Sequence, residues 1–211
     1  RDLASHRVLL VTDAGIVASG HAERAARALE LACVSVVVFD GVKENPTTRD
    51  VEACLEVARG ANIDLIVGLG GGSSLDTAKG CNFLLTNGGR MQDYLGIGKA
   101  TKPMLPMIAI PTTAGTGSET QSAALITDEI THQKMACLDR KATPRIAVLD
   151  PVLTITQPRH VTACTGVDAL AHALETHVTV NRNAISRIFS GEAFRKISRN
   201  LPRVLEEPAN L

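Results

Sequence analysis

The side chains best suited to chemistry are Asp168 and His172, in "TGVDALAHALETHV" at 165–178. Four positions apart on a helix, they would share one face, about 40° apart around the axis, and could point at a common ion. A carboxylate with an imidazole suits Fe(II), Zn or Mn. Two donors do not hold a catalytic metal, and the neighbours do not complete the set. Glu175 lies near the same face, His177 points elsewhere, and His160 precedes the helix. The commoner origin of such a pair is an Asp–His contact on the surface of an amphipathic helix. His6, His21 and His132 read as ordinary surface residues.

A second stretch, "GLGGGSSLDTAKG" at 68–80, raises the question of a phosphate. It departs from the dinucleotide fingerprint G-x-G-x-x-G, because Leu75 stands where the last glycine belongs, and it has no P-loop Lys-Ser or Lys-Thr pair. What it offers is an apolar strand at 64–67, then glycines, then Ser73-x-x-Asp76, which reads as a capping box opening a helix from about 74 to 85. Backbone N–H groups at such a helix start suit an anion, with Gly71 and Gly72 allowing close approach through lack of a side chain and through positive φ. A plain strand-to-helix turn is the other reading.

Asp13 closes "RVLLVTD" (7–13). In open α/β sheets ligands bind at the carboxyl ends of the strands. Asp13, the 70–74 loop and the hydroxyl-rich "TTAGTGSE" (112–119) all fall there. An acid at that edge can bond a ribose diol and repel a 2′-phosphate; it can also be a turn residue paired with Gly15.

The elements that must position these groups alternate. Strands at 7–13, 35–40, 64–69 and 107–111 are interleaved with helices at 19–33, 49–60 and 74–85. Two strands joined by a polar turn follow at 122–127 and 134–139, then one more at 145–150. Helices are expected at 165–178 and 183–201, the latter with an apolar stripe of Ile185, Ile188, Phe189, Ala193, Ile197 and Leu201 that needs a partner surface. The order argues for an α/β fold: a doubly wound, mainly parallel, Rossmann-like domain over 1–155, followed by the start of an all-helical domain over 156–211.

Composition sets bounds. Hydrophobic residues make up 45% of the 211 and aromatics 2%, enough for a mainly aliphatic core. Lys+Arg and Asp+Glu both number 22, so charge makes no case for a nucleic-acid or membrane partner. Cys33, Cys54, Cys81, Cys137 and Cys164 read as reduced core thiols of a cytoplasmic protein rather than a disulfide frame or metal site. No apolar run reaches bilayer length and no signal-peptide pattern opens the sequence. Arg1 in place of Met suggests a processed, trimmed or partial product.

"GLGGGSSLDTAKG", "IPTTAGTGSE" and "DPVLTITQPRHVTACTGVDALAHALE", in this order and spacing, resemble the iron-containing alcohol dehydrogenases. "VTD" (11–13), "DGVKENPT" (40–47) and "ITDEITHQKMACLD" (126–139) extend the resemblance over nearly the whole chain. It implies a dinucleotide-binding α/β domain, a helical domain, and a metal between them. Carried over by position, Gly71, Gly72, Ser73 and Asp76 would meet the pyrophosphate of NAD, and Asp13 and Asn45 would lie near the adenosine. Thr112, Thr113, Ser118 and Lys134 would line the path toward the nicotinamide. Asp168 and His172 would be two ligands of Fe(II), with Zn as the alternative.

The resemblance also implies the reaction: metal-assisted hydride transfer between NAD(H) and a small alcohol or aldehyde, by a homo-oligomer when full length. This sequence departs from the pattern in two respects, one of them the lack of the short lead-in segment the family usually carries at its N-terminus. The family's site uses one Asp and three His, and the last two His are not among these residues, so a fragment of a longer enzyme or a short form without activity is expected. A non-catalytic nucleotide-binding module and a lyase resembling dehydroquinate synthase are the rival classes. The form of the sequence around Asp168 argues against the lyase.

Overall fold

A computed structural model of the chain describes residues 5–210; Arg1 lies outside them. The elements run β1 (Arg7–Val11), α1 (Ala14–Ala18), α2 (His21–Leu31), β2 (Ser35–Phe39), α3 (Thr48–Ala58), β3 (Leu65–Gly70), α4 (Gly72–Asn87), β4 (Gly96–Ile97), β5 (Met107–Pro111), β6 (Ala123–Thr127), β7 (Lys134–Leu138), β8 (Ile146–Ala147), α5 (Arg159–Val178) and α6 (Ala184–Glu206). They divide into two units. Arg1–Pro111 and Gly117–Leu149 form one; Thr112–Thr116 and Asp150–Leu211 form the other.

The first unit is an α/β Rossmann-like fold built on a five-stranded sheet, ordered β2-β1-β3-β5-β8 and parallel throughout. β1 and β3 lie inside it, which is why both are nearly continuous apolar runs rather than alternating ones. Successive side chains feed opposite faces. Leu9, Val11 and Ile66 pack with α3 and α4, whereas Val8, Leu10, Leu65, Val67 and Leu69 pack with Ala25, Ala26 and Leu29 of α2. A second sheet, β4-β7-β6, contributes Ala124, Ile126, Met135 and Cys137 to the α3–α4 side of the core. Helix α4 is therefore apolar-packed on more than one side and buried from Ser74 through Leu84.

Several elements differ from the sequence expectation. The helix expected at 19–33 forms as α2 at His21–Leu31, with Gly20 (φ 79) as its N-cap, and the short helix α1 (Ala14–Ala18) precedes it where none was expected. The strand at 145–150 pairs with β5 only through Ile146 and Ala147. Helix α5 begins at Arg159, behind Pro158, and α6 runs on through Pro202 to Glu206. Cys54, Cys81 and Cys137 are buried free thiols, but Cys33 and Cys164 are exposed. Cys33 sits in the left-handed turn after α2 (φ 61) and Cys164 on an open face of α5, so neither belongs to the core. His21, expected on the surface, is buried at the start of α2.

In the second unit α5 and α6 form an antiparallel pair. Arg159 Nε donates to Leu205 O (3.0 Å) at one end, and His177 Nδ1 meets Ser190 Oγ (3.2 Å) at the other. Ala193, Ile197 and Leu201 of the apolar stripe are half-buried, whereas Ile185, Ile188 and Phe189 stay about 70% exposed. Among the described residues no helix is long and apolar enough to cross a membrane.

Candidate functional site

The chain leaves β1 toward β2 on one side and returns to β3 on the other, so a topological switch point lies beyond the carboxyl ends of β1 and β3. Asp13 and the start of α4 meet there. Helix α4 begins at Gly72 behind the N-cap Gly71, which makes no side-chain capping bond. The expected Ser73-x-x-Asp76 capping box does not form. The helix starts earlier than the capping pattern implied, placing Ser73 within the first turn and Asp76 in the second. The capping box of this region belongs instead to Thr47 and Asp50 at α3. The first N–H groups of α4 have no intrahelical carbonyl to bond, and they carry the positive end of a 16-residue helix. Positive φ falls on Gly70 (146°), not on Gly71 (φ −74) or Gly72. A Cβ at Gly70 would collide with Ser74 Oγ and come within 3.1 Å of Asp13 Oδ2.

Asp13 is both a turn residue and a contact to α4. Its Oδ1 accepts from the N–H groups of Gly15 (2.9 Å) and Ile16 (3.1 Å), capping α1. Its Oδ2 accepts from the Ser74 hydroxyl (3.1 Å). Asn45, exposed and left-handed at φ 52, donates its N–H to Ser73 Oγ (3.3 Å). The structure thus brings Asp13, Asn45, Gly71, Gly72 and Ser73 to one edge of the sheet.

Behind that edge lies a buried polar cluster. Asp76 Oδ1 accepts from the Ser118 hydroxyl (2.6 Å) and Oδ2 from the Leu125 N–H (3.1 Å). Lys79 Nζ, fully buried, donates to Ser118 O (2.6 Å), Ser118 Oγ (2.8 Å) and Ala123 O (2.9 Å), with Asp76 Oδ1 at 3.8 Å. Burial lowers the Lys79 pKa to about 8 against the opposing pull of Asp76 and Glu119. Burial likewise raises Asp76, opposed by Lys79, the Ser118 hydroxyl, the Leu125 N–H and Lys134. Lys134 itself is exposed on β7. Sequence reasoning missed Lys79, whose signal was its position three residues after Asp76 among Leu75, Ala78 and Cys81.

Thr112 and Thr113 follow β5; Thr112 is buried and Thr113 half-buried. The Thr113 hydroxyl is enclosed without a hydrogen-bond partner, as is that of Thr12 beside Asp13. In the helical unit His172 Nε2 stands 3.6 Å from Asp168 Oδ1, and both side chains are a little under half exposed. His172 Nδ1 lies 3.3 Å from Gly115 O, so a proton on Nδ1 leaves the lone pair of Nε2 for a metal. Gly115 packs so tightly on α5 that a Cβ there would overlap the Thr165 carbonyl. His177 is turned toward Ser190. Among the described residues no three His, Cys, Asp or Glu side chains group to hold a metal ion.

A parallel sheet with an uncapped helix start and an acid at its switch point defines a Rossmann-like α/β protein, and comparison with known proteins narrows this. Residues 1–151 match the family profile "Iron-containing alcohol dehydrogenase". The NAD-dependent methanol dehydrogenase of Bacillus methanolicus is 38% identical over 205 residues, covering 97% of this chain and 54% of that protein. The solved structure of the alcohol dehydrogenase from Oenococcus oeni superposes with a TM-score of 0.95 at 32% identity, over 99% of this chain and 55% of that one. Sulfoacetaldehyde reductase from Bifidobacterium kashiwanohense, in complex with NAD+, gives 0.90 at 32% identity, over 99% and 55%. The chain belongs to the iron-containing alcohol dehydrogenase family. It spans about half the length of the curated relatives it matches.

Proposed function

We propose that these residues bind NAD(H) and serve hydride transfer between that cofactor and a small alcohol or aldehyde. The observation that carries the reading is the meeting of Asp13 with the uncapped start of α4 at the switch point. The N–H groups at Gly72 and Ser73 face an anion with no competing side-chain cap, and Gly71 lets the pyrophosphate approach. Asp13 and Asn45 take the adenosine end, where a carboxylate oxygen accepts from the ribose diol. Thr112, Thr113, Ser118 and Lys134 are assigned to the nicotinamide side; Asp76, assigned with the pyrophosphate loop, is buried and accepts from Ser118 and Leu125. The NAD-dependence and bound NAD+ of relatives support this assignment.

Asp168 and His172 fit as two donors for Fe(II), or Zn, because the Gly115 carbonyl favours the ligating tautomer of His172. When held by a full ligand set, such a metal supplies Lewis-acid polarisation of the alcohol oxygen. Two donors fall short of the three protein ligands usual in a catalytic site, and this shortfall favours a second reading in which the 211-residue chain binds cofactor without turnover. We assign the dinucleotide domain to 1–155 and the start of the helical metal-binding domain to 156–211. Homo-oligomerisation of the full-length enzyme and a cytoplasmic setting complete the proposal.

The test is a fluorescence titration of the chain with NADH, repeated with Gly72→Val. The reading requires saturable binding that the substitution weakens at least about ten-fold, since a branched side chain then occupies the pyrophosphate's approach. Absence of binding, or unaltered binding by the folded variant, overturns it.

A further inference from the structure

The reading above uses the start of α4 and the segment after β5 but leaves unexplained what fixes one against the other. An ammonium has three N–H donors. Lys79 directs all three at a single segment: Ser118 O, Ser118 Oγ and Ala123 O, at 2.6, 2.8 and 2.9 Å. One turn earlier Asp76 accepts hydrogen bonds from the Ser118 hydroxyl and the Leu125 N–H. A single helical turn therefore makes five hydrogen bonds to 118–125. Three involve backbone groups of that segment, so the lock reads the position of the main chain rather than side-chain identity alone. A methionine at 79 would fill similar volume and leave three acceptors in the core without this donor, which is costly wherever water cannot replace it.

We propose that Lys79 is a positioning residue whose buried ammonium, together with Asp76, locks the Ser118–Leu125 segment onto α4 and so holds the nicotinamide side of the site in register with the phosphate-binding first turn. The functional half of this proposal rests on the NAD(H) reading; the lock itself does not. Gly72 and Ser73 lie in the turn just before Asp76, and a rigid helix relates the two. Lys79 touches neither cofactor nor substrate: it is fully buried and acts through Ser118.

The experiment compares Lys79→Met and Ser118→Ala with the wild-type chain in two arms. Amide hydrogen exchange should quicken about ten-fold or more at 117–125 in Lys79→Met, with 71–75 unchanged. Affinity should fall about ten-fold for NADH but stay within about two-fold for ADP-ribose, which has the adenosine and pyrophosphate but no nicotinamide ring. Ser118→Ala keeps both carbonyl acceptors and should shift both arms in the same direction by less. Unchanged exchange at 117–125 overturns the lock. Equal loss of NADH and ADP-ribose affinity overturns the nicotinamide-side role. A wild type that binds neither ligand, with the exchange result intact, overturns the NAD(H) reading and leaves the lock standing. If Lys79→Met does not fold, a Ser118→Ala protein indistinguishable from wild type in both arms overturns the proposal.

Discussion

Replacing Asp13 should change cofactor preference and stability separately, because the carboxylate has separable duties. Its oxygens cap α1 through Gly15 and Ile16 and accept from Ser74, while its charge faces the place assigned to the ribose. Asp13→Asn keeps an acceptor for the two N–H groups and removes the charge. Asp13→Gly removes everything. An N-cap replaced by Gly costs only roughly a few tenths of a kcal/mol, and loss of the hydrogen bond from Ser74 to the charged carboxylate adds about 1.5–3. Asp13→Gly should therefore lower stability by roughly 2–3 kcal/mol, and Asp13→Asn by under about 1. A 2′-phosphate carrying about 1.5–2 negative charges, some 5 Å from this half-buried carboxylate, is repelled by about 1–2 kcal/mol at near-aqueous screening. That is a preference for NADH over NADPH of roughly five- to thirty-fold. Calorimetric titration of both cofactors should show the preference in the wild type, its loss in Asp13→Asn, and its weakening between low salt and about 1 M. Equal wild-type affinities, or a ratio that survives Asp13→Asn, would refute the role given to this residue.

Gly70→Ala should destabilise the fold by about 1–3 kcal/mol in urea unfolding, because positive φ and contacts with Ser74 and Asp13 oppose a Cβ; a stability within experimental error of wild type would contradict the geometry. Lys79 releases its proton near pH 8 when folded and near its ordinary 10.5 when unfolded, so the unfolded chain binds more protons between these values. The contribution of this group to stability rises with pH across that window, by at most about 1 kcal/mol per unit, and is lost as pH falls through 8. Lys79→Met should lack that slope; parallel pH profiles for the two proteins would count against the assignment. After dialysis against Fe(II) or Zn and buffer, the chain should retain well under one metal per molecule and show no NAD-dependent oxidation of short alcohols or diols. Stoichiometric metal with turnover would mean that further ligands come from within this chain, His160 first among them.

The parallel sheet was legible because its strands are apolar runs of the right length separated by helical spacing, as at Leu9–Val11 and Ile66–Leu69. Boundaries were less so. The five-residue α1 is too short to show a helical period, and Gly20 at positive φ separates it from α2. The capping box at Ser73 and Asp76 failed for a reason of competition. Gly71 takes the extended N-cap conformation first, and Asp76 is then better satisfied by Ser118 and Leu125 than by its own helix start. Residue types suggested an anion site at 70–74 and an acid at 13. Their common place at the carboxyl ends of the strands was legible too, but that β1 and β3 are neighbours there follows from strand order, which periodicity does not encode.

Lys79 shows the limit of local reading most clearly. A lysine in the second turn of a helix ordinarily faces water, and local spacing offers no sign that β6 and β7 will cover that face. The sheet β4-β7-β6 comes from residues up to roughly sixty positions further along, and together with α3 it converts α4 from an amphipathic helix into an enclosed one. Once enclosed, the ammonium must find acceptors, and the turn at Ser118 and the start of β6 supply them. A charge that looks like solubility in the sequence thereby becomes an internal tie between distant segments. The Asp168–His172 pair is the opposite case: helical spacing predicted its contact, yet it stays half-exposed with one orienting bond, to Gly115 O. Within the first unit, then, the groups assigned to the cofactor are already tied to one another, whereas the pair assigned to a metal would need further donors and an ion to fix its geometry.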